Sequence, residues 1–150
     1  MFRQIIFREA SWPADQEALS RVRREVFVGE QQVPEDLEFD GLDAGALHWL
    51  AEEPDGEPIG TLRLLPSGQI GRMAVRHPWR GHGIGSHLLE CALTAAGQHG
   101  WEHVWLNAQA SRLGFYARHD FFIISDTFVD AGIPHRRMLR RVRDHMARAG

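Results

Sequence analysis

The chain has 150 residues, 43% of them hydrophobic and 25% charged, with a formal net charge of −3. That length suits one domain over residues 1–150. The balance excludes a disordered chain and gives no basic footprint for nucleic acid or an anionic membrane. A lone cysteine, Cys91, excludes an internal disulfide, and all the Lys-plus-Arg charge is arginine. No apolar run is long enough to span a bilayer, and Met1–Glu9 lacks a signal-peptide pattern, so the expected location is the cytoplasm.

In chain order, Phe2–Arg8 is β-branched and aromatic and predicts a strand. Ser11-Trp12-Pro13-Ala14-Asp15 is a helix start, and Leu19, Val22 and Val26 put one apolar face on a helix running to about Phe27. Gly29–Gly45 reads as an acidic loop. Leu47–Ala51, Ile59–Leu65 and Gln69–Val75, separated by Asp55-Gly56 and Ser67-Gly68, predict an antiparallel meander. A Gly-rich loop leads into a helix over Gly83–His99, with Ile84, Leu88, Ala92 and Ala95 on one face and Gly100 as its stop. His103–Leu106 predicts a strand, Arg112–Arg118 a short helix, and Phe121–Phe128 and Arg137–Val142 the last strands. The expected fold class is α+β, or mixed α/β, around one mostly antiparallel sheet of six or seven strands with three or four helices.

Arg80-Gly81-His82-Gly83-Ile84-Gly85-Ser86 stands between strand and helix. Amides at a helix start lack internal partners, the helix dipole adds positive character, and glycines let a ligand approach the backbone. The segment reads as a phosphate cradle, with a plain turn joining strand to helix as the alternative. A Walker loop needs a Lys that this chain lacks. A dinucleotide fingerprint needs a third glycine where Ser86 stands, and an acid where Trp105 and Leu106 stand.

Arg80, Gly83 and Gly85 match the R/Q-x-x-G-x-G/A loop of the GNAT superfamily of N-acetyltransferases. Ile70–Val75 is similar to that family's fourth strand, and Phe115–Phe121 to its Tyr-bearing helix and the strand after it. Val26–Gln31, Glu38-Phe39-Asp40, His48, Ala108-Gln109 and Gly132–His135 resemble the ElaA-like branch. The resemblance implies acetyl-CoA as co-substrate. Met73, Ala74 and Val75 would meet the pantetheine arm. Arg80, Gly81, His82, Gly83, Ile84, Gly85 and Ser86 would bind the pyrophosphate. The family's frequent Asn seven positions before the Tyr is Gln109 here, with Asn107 two positions earlier, and both would line the cofactor. Tyr116 would protonate the leaving thiolate, and a backbone amide near Val75 would meet the developing oxyanion. The family's Gly after that helix is Asp120 here, a residue that tolerates a left-handed backbone.

Acyl transfer to an amine also needs a base, because an alkylamine with a pKa of about 10.4 is cationic at neutral pH. Candidates are Glu30, Glu38, Asp40, His48 and His135, with Glu30 and His135 taken as catalytic and Glu38, Asp40 and His48 as acceptor-binding. The acidic segment reads either as a solvated loop or as an electrostatic lure for a cationic amine. Cys91 lies mid-helix among apolar residues, so no covalent enzyme intermediate is expected. No metal site is expected: Gly100 breaks the spacing of His99 and His103. The expected partner is a small amine acceptor, with a homodimer one way to cover sheet edges. Two alternatives stand: a catalytically idle acyl-CoA-binding module or sensor, and a nucleotide-binding oxidoreductase.

Overall fold

A computed structural model describes residues 4–142. Strands β1 (Ile6–Ala10), β2 (Leu47–Glu52), β3 (Pro58–Leu64) and β4 (Ile70–Val75) form an antiparallel sheet in chain order. A second sheet contains β5 (His103–Gln109), β6 (Phe122–Ile123), β7 (Phe128–Asp130) and β8 (Ile133–Arg141), with β8 pairing all three others antiparallel. Four α-helices lie among the described residues: α1 (Trp12–Arg23), α2 (Glu35–Glu38), α3 (Ile84–Gln98) and α4 (Leu113–Arg118).

The mixed α/β fold matches expectation in class and order, with local differences: α2 lies inside the expected Gly29–Gly45 loop, and β8 starts at Ile133 rather than Arg137. The single expected sheet is two, touching at one parallel bridge between Gln69 and Trp105. The strand expected over Phe121–Phe128 is broken into β6 and β7 by Ser125-Asp126, where Ser125 Oγ accepts from the Arg137 amide. The first strand starts at Ile6 rather than Phe2; Met1–Arg3 lie outside the described residues.

Burial explains the helices. Leu19, Val22 and Val26, the face read from the sequence, are buried. Beyond Arg23 the backbone widens into a π-helix over Arg24–Glu30, closed by Gln31 N–H donating to Val26 O at 3.1 Å. Such turns are rare and occur often at functional sites. On α3 the buried stripe is wider than expected: Leu89, Leu93 and Ala96 join Ile84, Leu88 and Ala92, while Ala95 is half-buried. Gly60 lets α3 lie close on β3, since a Cβ there would stand 3.1 Å from Ala74 O and 3.2 Å from Leu88.

Strand β4 carries one irregularity. Thr61 faces Ala74 and Arg63 faces Gly71, so β4 takes three steps where β3 takes two. The extra residue is a bulge, and Arg72 within it has φ +48°.

Candidate active site

Beyond the Gln69–Trp105 bridge, β4 and β5 diverge, so Ala74 and Val75 have ladder partners only on the β3 side among the described residues, and Met73 lies in the bulge beside them. The gap between the sheets is a cavity of about 750 Å³. Its walls include Met73–Val75 from β4 and Leu106, Asn107 and Gln109 from β5. One end is the glycine loop. Gly81 and Gly83 have φ +82° and +78°, and nothing lies within 4 Å of where a Cβ would stand on either. Gly83 is the N-cap of α3, which leaves the first amides of a 15-residue helix open to the cavity end. This cradle fits a diphosphate and a short hydrogen-bonding arm: unpaired strand edge on one side, bare helix start on the other.

Tyr116 and His135 line the same cavity. Tyr116 sits on α4, its ring set edge-on between Phe115 and Phe121 at 5.1 and 5.9 Å. Its carbonyl accepts from His119 and Phe121 amides, and Asp120 closes the turn at φ +67°, the left-handed conformation expected of it. No described residue hydrogen-bonds the Tyr116 hydroxyl. Burial pushes that hydroxyl up to about 12, with Arg112 opposing. His135 is only 8% exposed, and its Nδ1 lies 2.7 Å from Ile133 O. A carbonyl only accepts, so Nδ1 carries the proton of the neutral ring and Nε2 holds the lone pair. No described residue occupies Nε2.

Residues 12–142 match the family model of the acetyltransferase (GNAT) domain. The chain belongs to the GNAT acetyltransferase family. Among relatives of this GNAT chain, the uncharacterised N-acetyltransferase YjcF of Bacillus subtilis is 36% identical, over 79% of this chain and 87% of YjcF. Protein ElaA of Escherichia coli is 34% identical, over 83% and 86% of the two chains. The crystal structure of Escherichia coli ElaA superposes with a TM-score of 0.82, covering 91% of this chain and 99% of ElaA at 29% identity. That of an acyl-CoA N-acyltransferase from Pseudomonas aeruginosa gives 0.82 at 33% identity, with 91% and 99% coverage. The ElaA-like resemblance is thereby supported in both sequence and fold.

The remaining predicted residues of this GNAT chain divide. Arg80, Gly81, Gly83, Ile84, Gly85 and Ser86 line the cavity; His82 is exposed beside it. The Arg80 fork is already engaged: Nε donates to Val75 O at 2.8 Å and Nη2 pairs with Glu30 at 2.8 Å. Glu30 is thus an ion-pair partner outside the cavity lining, not a free base in it. His48 is also outside the lining. It is buried on β2, stacked 5.3 Å from Trp12, with Nε2 on Asp43 O at 2.9 Å. Burial lowers its proton affinity, so it is a neutral structural ring and not an acceptor contact.

Glu38 and Asp40 do line the cavity, but as members of a buried charge cluster that sequence reading missed. Arg23 is fully buried and donates to Glu38 Oε2 at 2.6 Å and to Asp43 Oδ1 at 2.7 Å. Arg63 holds Asp40 at 2.9 Å and Asp43 at 3.2 Å, and Arg72 reaches Asp40 at 3.1 Å. The only sequence signal is an Arg one position after Val22 on the apolar side of α1, which looks like an ordinary helix-end cation.

A second missed group is His119. Its Nδ1 faces Glu90 at 3.5 Å and its Nε2 lies 3.0 Å from Ser86 Oγ. A carboxylate only accepts, so the neutral ring keeps its proton on Nδ1 and the Ser86 hydroxyl donates to Nε2. This string fixes Ser86 at the mouth of the cradle. Asn107 is held by Arg137 at 3.0 Å, and Gln109 exchanges two amide hydrogen bonds with Gln31 at 2.9 and 3.4 Å. Among the described residues, no helix is long and apolar enough to cross a membrane.

Proposed function

We propose that this single-domain chain transfers an acetyl group from acetyl-CoA to the amine of a small acceptor by direct attack. The supporting observation is convergence: the glycine cradle, the unpaired edge of β4, the Tyr116 hydroxyl and the open Nε2 of His135 all border one cavity. When bound, acetyl-CoA supplies the activated thioester; everything else falls to the chain. The amides from Gly81 to Ser86 bind the diphosphate. Met73–Val75 hold the arm as an added strand would be held. Asn107 and Gln109 line the wall opposite.

His135 takes the proton from the incoming ammonium, because its free Nε2 can only accept in the neutral ring. Tyr116 stays protonated across the neutral range, since its pKa of about 12 lies well above it. So weak an acid serves first as a hydrogen-bond donor to the departing thiolate, where charge develops. Cys91 is remote from this chemistry: burial raises its pKa, and it does not line the cavity. That favours direct attack over a covalent enzyme intermediate.

His135 is tested by substitution. His135→Gln should lower kcat/KM by about 10²-fold, the lower end for general-base removal. A mutant that keeps its rate assigns the base elsewhere. A single assay separates catalysis from an idle acyl-CoA sensor: thiol release that depends on added amine. Amine-independent or absent release, with acetyl-CoA still raising the melting temperature, supports the sensor instead.

A further inference from the structure

Acetyl transfer needs an acceptor, and the charge cluster in the cavity wall bears on what charge that acceptor carries. One of the two sequence readings of the acidic segment makes it a lure for cations. Its inner carboxylates are cancelled where they stand: Glu38, Asp40 and Asp43 face Arg23, Arg63 and Arg72, three charges against three. A polycation approaching this wall gains no net attraction, and it meets two guanidiniums, Arg63 and Arg72, that themselves line the cavity.

Two polar edges remain open in this wall. Arg72 donates through Nε to Glu38 O and through Nη2 to Leu37 O and Asp40, which leaves Nη1 with no partner among the described residues. Glu38 Oε2 accepts from Arg23 and lies in ion-pair range of Arg72, and Oε1 has no hydrogen-bond partner among the described residues. Neither atom is among the sealed, unpartnered polar atoms, so both are reachable. Arg72 Nε and Glu38 Oε2 are 3.2 Å apart, so the open donor and open acceptor belong to adjoining groups.

The backbone adds an independent observation. Arg72 is held at φ +48° inside the β4 bulge, an uncommon and strained conformation for a residue with a Cβ. Bulges beside active sites re-aim a side chain, and this one turns Arg72 into the wall. Burial lowers the pKa of Arg72 and raises that of Glu38. Each ion is therefore short of solvation and gains from a further partner.

Resting on the acetyl-transfer reading, we propose that the acceptor is a small amine carrying its own anionic group nearby, with the anion on Arg72 Nη1 and the amine beside Glu38 Oε1. The anion is a carboxylate or a phosphate; the shared chemistry is a negative group within a few bonds of the nitrogen.

The test measures amine-dependent thiol release for matched pairs: an α-amino acid against its carboxamide, and an aminoalkyl phosphate against the amino alcohol, with spermidine as the polycation. The anionic member of at least one pair should have kcat/KM about tenfold or more above its neutral partner, the gain from one charge-assisted contact. The pair that responds identifies carboxylate or phosphate. Arg72→Gln should bring that ratio close to 1, and Arg72→Lys, which keeps the charge, should recover part of it. Equal rates within both pairs, or a preference for spermidine, overturn the inference while leaving acetyl transfer standing. Silence with every amine, with acetyl-CoA still binding, overturns acetyl transfer and this inference together.

Discussion

Tyr116→Phe should fold like the parent protein, bind acetyl-CoA within about twofold of it, and lose about 10²-fold or more in kcat, the range for one proton-donating group. The unchanged fold follows from the site. The hydroxyl has no protein partner among the described residues, so its removal strands no buried donor or acceptor. The ring keeps its edge contacts with Phe115 and Phe121, which need only the aromatic face. The rate loss follows because no other described hydroxyl or acid is placed on α4 beside the cavity. Two measurements suffice: acetyl-CoA affinity by calorimetry and kcat by thiol release. A mutant with kcat within threefold of the parent removes Tyr116 from the mechanism. A loss in affinity equal to the loss in rate would make the ring a binding contact.

Arg23→Met should destabilise the fold by about 3–5 kcal/mol, the usual consequence of removing one partner from a buried ion cluster. Glu38 and Asp43, both under 5% exposed, would keep their charges with nothing on that side to hold them. At this chain length that is about 10 °C in melting temperature. Arg24→Ala is the control. Its pair with Glu35 is more than half exposed on both sides, and its loss should cost under about 1 kcal/mol. Equal effects of the two substitutions in urea unfolding would show that the cluster is not the clamp on residues 35–43.

The same cluster sets a pH dependence. His48 is buried with a folded-state pKa below its ordinary value of 6.5, held there by burial and by Arg23 and Arg63 against Asp43. Below that ordinary value the unfolded chain takes up a proton that the folded chain refuses, so stability should fall as pH drops through about 6.5. Asp40 has the usual carboxylate sign. Its folded value of about 2 lies below the ordinary one, so its contribution is present above about pH 4 and is lost on further acidification towards 2. His48→Gln should remove the first decline and leave the second.

The order of elements, the face of α1, the meander and the glycine cradle were legible because each is a local pattern. Period 3.6 at Leu19, Val22 and Val26, and period 2 between turn residues, report burial directly. Gly81 and Gly83 report backbone geometry that few other residues adopt cheaply. Tyr116 was legible as the chain's one tyrosine in a matching motif. The role of His135 was open, and only the short contact to Ile133 O identifies its free nitrogen.

By itself, then, the sequence determined the fold class and the family, and it marked the glycine loop at the start of a helix, because these depend on neighbours in the chain. Tertiary structure alone decided which charges are spoken for. Arg23, Glu38, Asp43 and Arg63 come from four elements spread over 40 positions, and no spacing rule brings them together. It also paired Glu30 with Arg80, 50 positions apart, and sealed His48 under Trp12. A carboxylate's chemistry depends on what lies within a few ångströms of it, and for these residues that neighbourhood exists only once the chain has folded.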